Sequence, residues 1–124
     1  MKKIINTLHA PAPIGPYNQA VSANSFLFVS GQIAINSATG NLVTSDIQSE
    51  TKQVMENIKA ILNEAGKNFD HVVKTSIFLL DMNHFSQVNE IYGSYFSKDF
   101  PARETVQVSR LPKDVNVEIS VIAI

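Results

Sequence analysis

Residues 46–65 carry the longest periodic signal in the chain: Ile47, Thr51, Val54, Met55, Ile58, Ile61, Leu62 and Ala65 recur three and four positions apart. At 3.6 residues per turn they form one apolar stripe, so the spacing predicts an amphipathic helix over this segment. A stripe of this kind is stable only when packed against another surface. It lasts too few heptads to build a coiled coil, so that surface must come from the same fold. Ser45 with Gln48 resembles a capping box, and Gly66 suits the left-handed position that ends a helix.

The flanking segments supply β-type runs. Residues 17–22 and 26–30 are separated by Ala23-Asn24-Ser25, a polar turn of hairpin length. Gln32–Ile35 continues after Gly31, and Thr39-Gly40-Asn41 marks another turn. Gly31 inside a strand-like run points to a bulge, or to a place where something approaches the backbone closely. Residues 71–80 are rich in β-branched residues and read as a strand. A second helix is expected from Asn83, as N-cap, to Ser97, with Phe85, Val88, Ile91, Tyr92 and Tyr95 on its inner face. Residues 9–16 hold three prolines and read as an ordered extended loop. The order strands, helix, strand, helix, strands predicts one α+β domain over residues 1–124, a mixed sheet with two helices on one face. The other face must be unusually polar or be covered, for instance by further copies of the chain.

The last two runs, Arg103–Ser109 and Val115–Ile124, surround a turn at Pro112-Lys113-Asp114. Alternation puts Arg103, Thr105 and Gln107 on one face, and Asn116, Glu118 and Ser120 on one face of the final strand. Paired as a hairpin with Val108 opposite Val115, the strands would set Thr105 opposite Glu118 and Arg103 opposite Ser120. Arg103 and Glu118 would then be diagonal neighbours. Taken alone, such a pair is an ordinary surface ion pair stabilising by less than about 1 kcal/mol.

Composition removes several chemistries. The chain has no cysteine, so disulfides, thiolate nucleophiles and sulfur-bound metals are excluded; this also leans toward the cytoplasm. A formal charge of −1 supplies no field for nucleic acid or an anionic membrane. Met1-Lys2-Lys3 is followed by no apolar run, so neither a signal peptide nor a membrane span is expected. His9, His71 and His84 lack metal-ligand spacing, there is no G-x-S-x-G elbow, and Gly15 and Gly31 form no phosphate loop.

Several blocks carry a resemblance. They are Ile-Gly-Pro-Tyr-Asn-Gln-Ala (14–20), Val-Ser-Gly-Gln-Ile (29–33), Val-Lys-Thr-Ser-Ile-Phe-Leu-Leu-Asp-Met (73–82), Val-Asn-Glu-Ile-Tyr (88–92), Pro-Ala-Arg (101–103) and Arg-Leu-Pro-Lys-Asp (110–114). Together, in order and nearly end to end, they resemble the RidA family, also called YjgF. The resemblance implies a chorismate-mutase-like fold, a homotrimer with clefts between subunits, and no cofactor or metal. The implied activity is hydrolysis of reactive enamines and imines, such as 2-aminoacrylate, 2-iminopropanoate and 2-iminobutanoate, to 2-keto acids and ammonia. That activity protects pyridoxal-phosphate enzymes.

Carried onto this chain, Arg103 matches the arginine that grips the substrate carboxylate, a role suited to its planar fork. Glu118 matches the acid that activates water. Ser30 and Gly31 match the pocket backbone, and Tyr17 and Asn89 match cleft-lining positions. Thr105 stands where many relatives have cysteine, so sulfur has no role here. Two other functions stay open: a trimer that binds 2-keto acids as signals, and the single-stranded RNA cleavage reported for some relatives. The near-neutral charge argues against the second.

Overall fold

The computed structural model describes residues 1–124. Its elements in chain order are β1 (Lys3–Ile5), β2 (Ala20–Ala23), β3 (Phe26–Gln32), α1 (Ile47–Glu64), β4 (Val72–Leu79), α2 (Phe85–Gly93), β5 (Ala102–Gln107) and β6 (Val117–Ala123). The strands form one six-stranded sheet in the order β1-β2-β3-β6-β4-β5. Only β4 and β5 run parallel, joined through α2; every other neighbouring pair is antiparallel. The α+β class, the mixed sheet and its two helices are those the sequence predicts.

The stripe on α1 is buried as its spacing requires: Ile47, Val54, Met55, Ile58, Ile61 and Leu62 lie against the sheet. Leu27 and Val29 of β3, Ile77 and Leu79 of β4, and Val117, Ile119 and Val121 of β6 face them. Each such side chain stabilises by roughly 1.5–3 kcal/mol. Three polar residues of the helix, Glu50, Thr51 and Asn57, are buried as well. Thr51 donates its hydroxyl to the Ile47 carbonyl (2.8 Å), and Asn57 Nδ2 donates to the carbonyls of Ile33 and Ile35, both at 3.0 Å. Asn57 thereby fastens the segment after β3 to the helix.

Two local expectations change. Asp46, not Ser45, is the N-cap of α1; its carboxylate accepts from the Ser49 N–H at 2.7 Å, and a carboxylate is the stronger acceptor there. Gly66 does end the helix, at φ +72, with Lys67 N–H bonding back to the Leu62 carbonyl. The second helix is shorter than expected: Asp81 caps a single 3-10 turn, Met82–His84, so α2 starts at Phe85 rather than after Asn83 and ends at Gly93. The proline segment is an extended loop, and the 23–25 turn closes a β2–β3 hairpin with Asn24 and Ser25 at positive φ. The three-residue β1 is too short to leave a periodic signal in the sequence.

The largest correction concerns the end of the chain. β5 and β6 do not pair; β4 lies between them, with Thr75 opposite Arg103 on one side and Phe78 opposite Glu118 on the other. Two physical causes are visible. The connection from β5 to β6 is a wide loop whose Lys113 and Asp114 both take φ +55, not a tight hairpin turn. The alternating apolar residues of β6 are also buried centrally, whereas the polar β5 tolerates an edge.

The sheet face away from the helices is left open. It exposes Phe26 (43 %), Phe28 (46 %), Ile4 (42 %) and Val106 (41 %). Apolar groups clustered on an exposed face commonly mark an interaction surface.

Candidate functional site

Residues directly paired across strands share a face. Arg103 therefore shares the helix-covered face with Thr75 and Val121, while Glu118 shares the open face with Phe78. Within one chain the arginine and the glutamate are two strands apart on opposite sides of the sheet. The structure thus divides the sequence-predicted residues into two groups.

Arg103 projects from the edge strand against α2. Its guanidinium carbon lies 5.6 Å from the Phe85 ring centre and 5.1 Å from that of Tyr92. Such cation–π contacts contribute about 0.5–1 kcal/mol each at partly exposed sites. The Tyr92 hydroxyl is fixed in turn, donating to Thr75 Oγ1 at 3.0 Å, and burial pushes its pKa up. Neither of the chain's two ion pairs involves Arg103, so its charge and its N–H donors stay free. A concavity of about 290 Å³ opens beside it, lined by Asn89, Tyr92, Gly93, Phe100, Pro101 and Arg103. None of the residues lining it is acidic.

Glu118 lies beside a break in the β3–β6 ladder. Val29 pairs with Val121 and Gln32 with Ile119, so β3 carries one residue more than β6 between those pairs. The extra residue falls at Ser30-Gly31, the bulge expected from the glycine. The Glu118 side chain fills the space a Cβ on Gly31 would need: that atom would come within 2.5 Å of Oε2 and 2.8 Å of Cδ. Burial raises the Glu118 pKa above the ordinary carboxylate value. A second concavity of about 330 Å³ is lined by Ile14, Tyr17, Ser30, Gly31, Pro112 and Glu118. A half-buried carboxylate with raised proton affinity, next to space for water, suits general acid–base work.

The proline loop carries Tyr17 to this concavity. Gln19 holds the loop: its Nε2 donates to the carbonyls of Thr7, Ala10 and Pro11, and its Oε1 accepts from the Thr7 N–H. Tyr17 itself is 44 % exposed and is not a core aromatic. Its hydroxyl accepts from the Ile14 N–H at 3.3 Å, and the Ser30 hydroxyl donates to the Asn18 carbonyl at 2.6 Å. Thr105 lines neither concavity. It sits on the helix side of β5, two residues along from Arg103, with its hydroxyl buried and unpartnered. The sequence marks Phe85 and Tyr92 only as part of an inner helix face. Their spacing with Asn89, one turn apart on α2, was the available signal for the arginine's flanks.

Comparisons with known proteins identify the family. The family described as Endoribonuclease L-PSP matches residues 7–124. The chain belongs to that family, the RidA (YjgF) family. It is 54% identical to a RutC family protein of Pyrococcus horikoshii, over 99% of this chain and 98% of that one. It is 47% identical to the 2-iminobutanoate/2-iminopropanoate deaminase of Bos taurus, over 100% of this chain and 90% of the relative. Among solved structures, Escherichia coli TdcF with bound serine superposes with a TM-score of 0.94 at 42% identity, covering 98% of each chain. Family and fold are therefore those the motif blocks indicated. No helix is long and apolar enough to cross a membrane.

Proposed function

We propose that this protein hydrolyses small 2-imino acids, and their enamine tautomers, to 2-keto acids and ammonia at a site shared between copies of the chain. The observation that carries the reading is the free Arg103 guanidinium, flanked by two rings and opening on a concavity with no acidic partner. An arginine kept unpaired in this way is preorganised for a carboxylate. The deaminase name of relatives 44–47% identical supports the substrate class. So does the serine bound to TdcF, a small molecule with a carboxylate.

The chemistry follows from the two groups. Arg103 holds the substrate carboxylate and so fixes the adjacent imine carbon. Glu118, ionised, takes a proton from water as its oxygen bonds to that carbon and the C=N π electrons move to nitrogen. Glu118 returns that proton to the nitrogen, giving a carbinolamine whose one carbon bears both hydroxyl and amine. Glu118 then takes the hydroxyl proton and passes it to the amine as the C–N bond breaks, so ammonia leaves and the oxygen becomes that of the ketone. Water is the only co-reactant, and neither metal nor cofactor enters a step. A general base of this kind typically contributes about 10²–10⁴-fold.

One chain cannot bring both groups to one substrate, because the sheet separates them. A homotrimer resolves this: the open apolar face is covered, and the Arg103 edge of one copy meets the Glu118 concavity of the next. Asn89 enters with Arg103, and Tyr17, Ser30 and Gly31 with Glu118. The RNA-cleaving alternative draws no support from a chain of net charge −1. In a coupled assay that generates 2-iminobutanoate, the wild type accelerates 2-oxobutanoate formation and Arg103→Ala does not. Equal rates for the two proteins would sink the proposal.

A further inference from the structure

Glu50 lies in the first turn of α1 and is 0 % exposed. No cation pairs with it. Its carboxylate is held instead by three donors from the start of β6. Oε2 accepts from the Asn116 N–H at 2.7 Å and the Val117 N–H at 3.2 Å, and Oε1 accepts from Asn116 Nδ2 at 2.8 Å. The N-terminal end of α1 adds a favourable field for negative charge. An ionised group taken wholly out of water costs several kcal/mol unless donors replace its hydration, so this placement is demanding.

The location gives it a meaning. Asn116 and Val117 lie one and two residues before Glu118. The last β3–β6 pair is Gln32 with Ile119, so the two N–H groups bound by Glu50 lie beyond the end of that ladder. On the other side, the Asn116 carbonyl accepts from Leu80 N–H at 3.0 Å. On the β3 side, Glu118 stands on backbone that pairs only after it and rests on Glu50 before it; on the other side β4 pairs with Val117 and Glu118 through Leu79 and Phe78. The Gly31 bulge interrupts the β3 ladder opposite Ser120, two residues further along.

We infer that Glu50 is a positioning residue for the reaction: by standing in for the missing β3 partner of Asn116 and Val117, it fixes where the Glu118 carboxylate points. This rests on the assignment of Glu118 as the base. A displacement of about 1 Å at a catalytic group costs on the order of a hundredfold in rate. Glu50→Leu removes all three acceptor contacts and lowers kcat by about tenfold to a hundredfold. Glu50→Gln keeps an oxygen for the two backbone N–H groups and holds kcat within about threefold of wild type.

The test compares Glu50→Leu, Glu50→Gln, Glu118→Gln and the Glu50→Leu/Glu118→Gln double variant, all as assembled protein. kcat and KM come from the coupled imine assay, and Kd for 2-oxobutanoate from calorimetry. Expected are a kcat loss in Glu50→Leu with KM and Kd nearly unchanged, rescue in Glu50→Gln, and no added loss in the Glu118→Gln background. A normal kcat in Glu50→Leu beside a crippled Glu118→Gln overturns the inference, as does an equal further loss in the double variant. Undiminished kcat in Glu118→Gln alone refutes the assignment of the base instead. Should Glu50→Leu not fold, Glu50→Asp, whose carboxylate is drawn back by one methylene, takes its place in the same comparison.

Discussion

Replacing Gly31 with alanine adds one methyl group at the point where the β3 bulge meets Glu118. Gly31 has no positive φ, so alanine fits the backbone and the whole effect falls on the neighbour. The new Cβ would stand 2.8 Å from Glu118 Cδ and 3.1 Å from Cγ. Carbon atoms rest at about 3.5–4.0 Å, so the carboxyl carbon must retreat by about 0.7–1.2 Å. The far end of the glutamate can swing, which limits the stability cost to about 1–3 kcal/mol. Its chemistry is less forgiving: a shift of this size predicts a kcat loss on the order of a hundredfold, about 2.7 kcal/mol of barrier. Substrate carboxylate binding belongs to the Arg103 half, so KM and the Kd for 2-oxobutanoate should stay within about threefold. Steady-state kinetics, calorimetry and thermal melts on one preparation separate these quantities. A Gly31→Ala protein with kcat within twofold of wild type would refute the link between the bulge and the base.

Two further outcomes follow from the same geometry. Burial raises the Glu118 pKa, and only the ionised form can take a proton, so kcat falls on acidification with a midpoint above the usual carboxylate value. That limb should vanish from the kcat–pH profile of Glu118→Gln; its persistence would mean another group titrates. Phe85→Leu removes one ring from beside the Arg103 guanidinium, a contact worth about 0.5–1 kcal/mol, and should raise KM by about two- to fivefold with kcat nearly unchanged. A fall in kcat without a change in KM would show that the ring serves the chemistry rather than the carboxylate.

What could be read from the residues alone follows from how local each signal is. The α1 stripe, the β4 run and the Asn24-Ser25 turn depend on neighbours within a few positions, and all three are found where the periodicity puts them. The partner of β6 depends on a choice among strands far apart in sequence. Short turns between polar-faced strands favour a hairpin, and that preference was overridden by the burial of Ile119 and Val121 at the centre of the sheet. The face of Glu118 relative to Arg103 was lost with that choice, although the face of each within its own strand was right. Glu50 was missed because a carboxylate on an amphipathic helix ordinarily faces water. Its three donors come from residues 66 and 67 positions away, beyond any local pattern. Gly31 was legible as a bulge, but its role as the floor under Glu118 needed the fold.

The separation of Arg103 and Glu118 by the thickness of a sheet also bears on how activity scales with amount. If neither face is competent alone, a dissociated chain contributes no fraction of the rate, however well folded. The number of working sites then obeys mass action between copies, rising more steeply than in proportion to concentration until assembly is complete. A ligand that bridges the two faces strengthens the assembly by the same free energy with which assembly strengthens its binding. For this chain, substrate would act as an adhesive as well as a reactant.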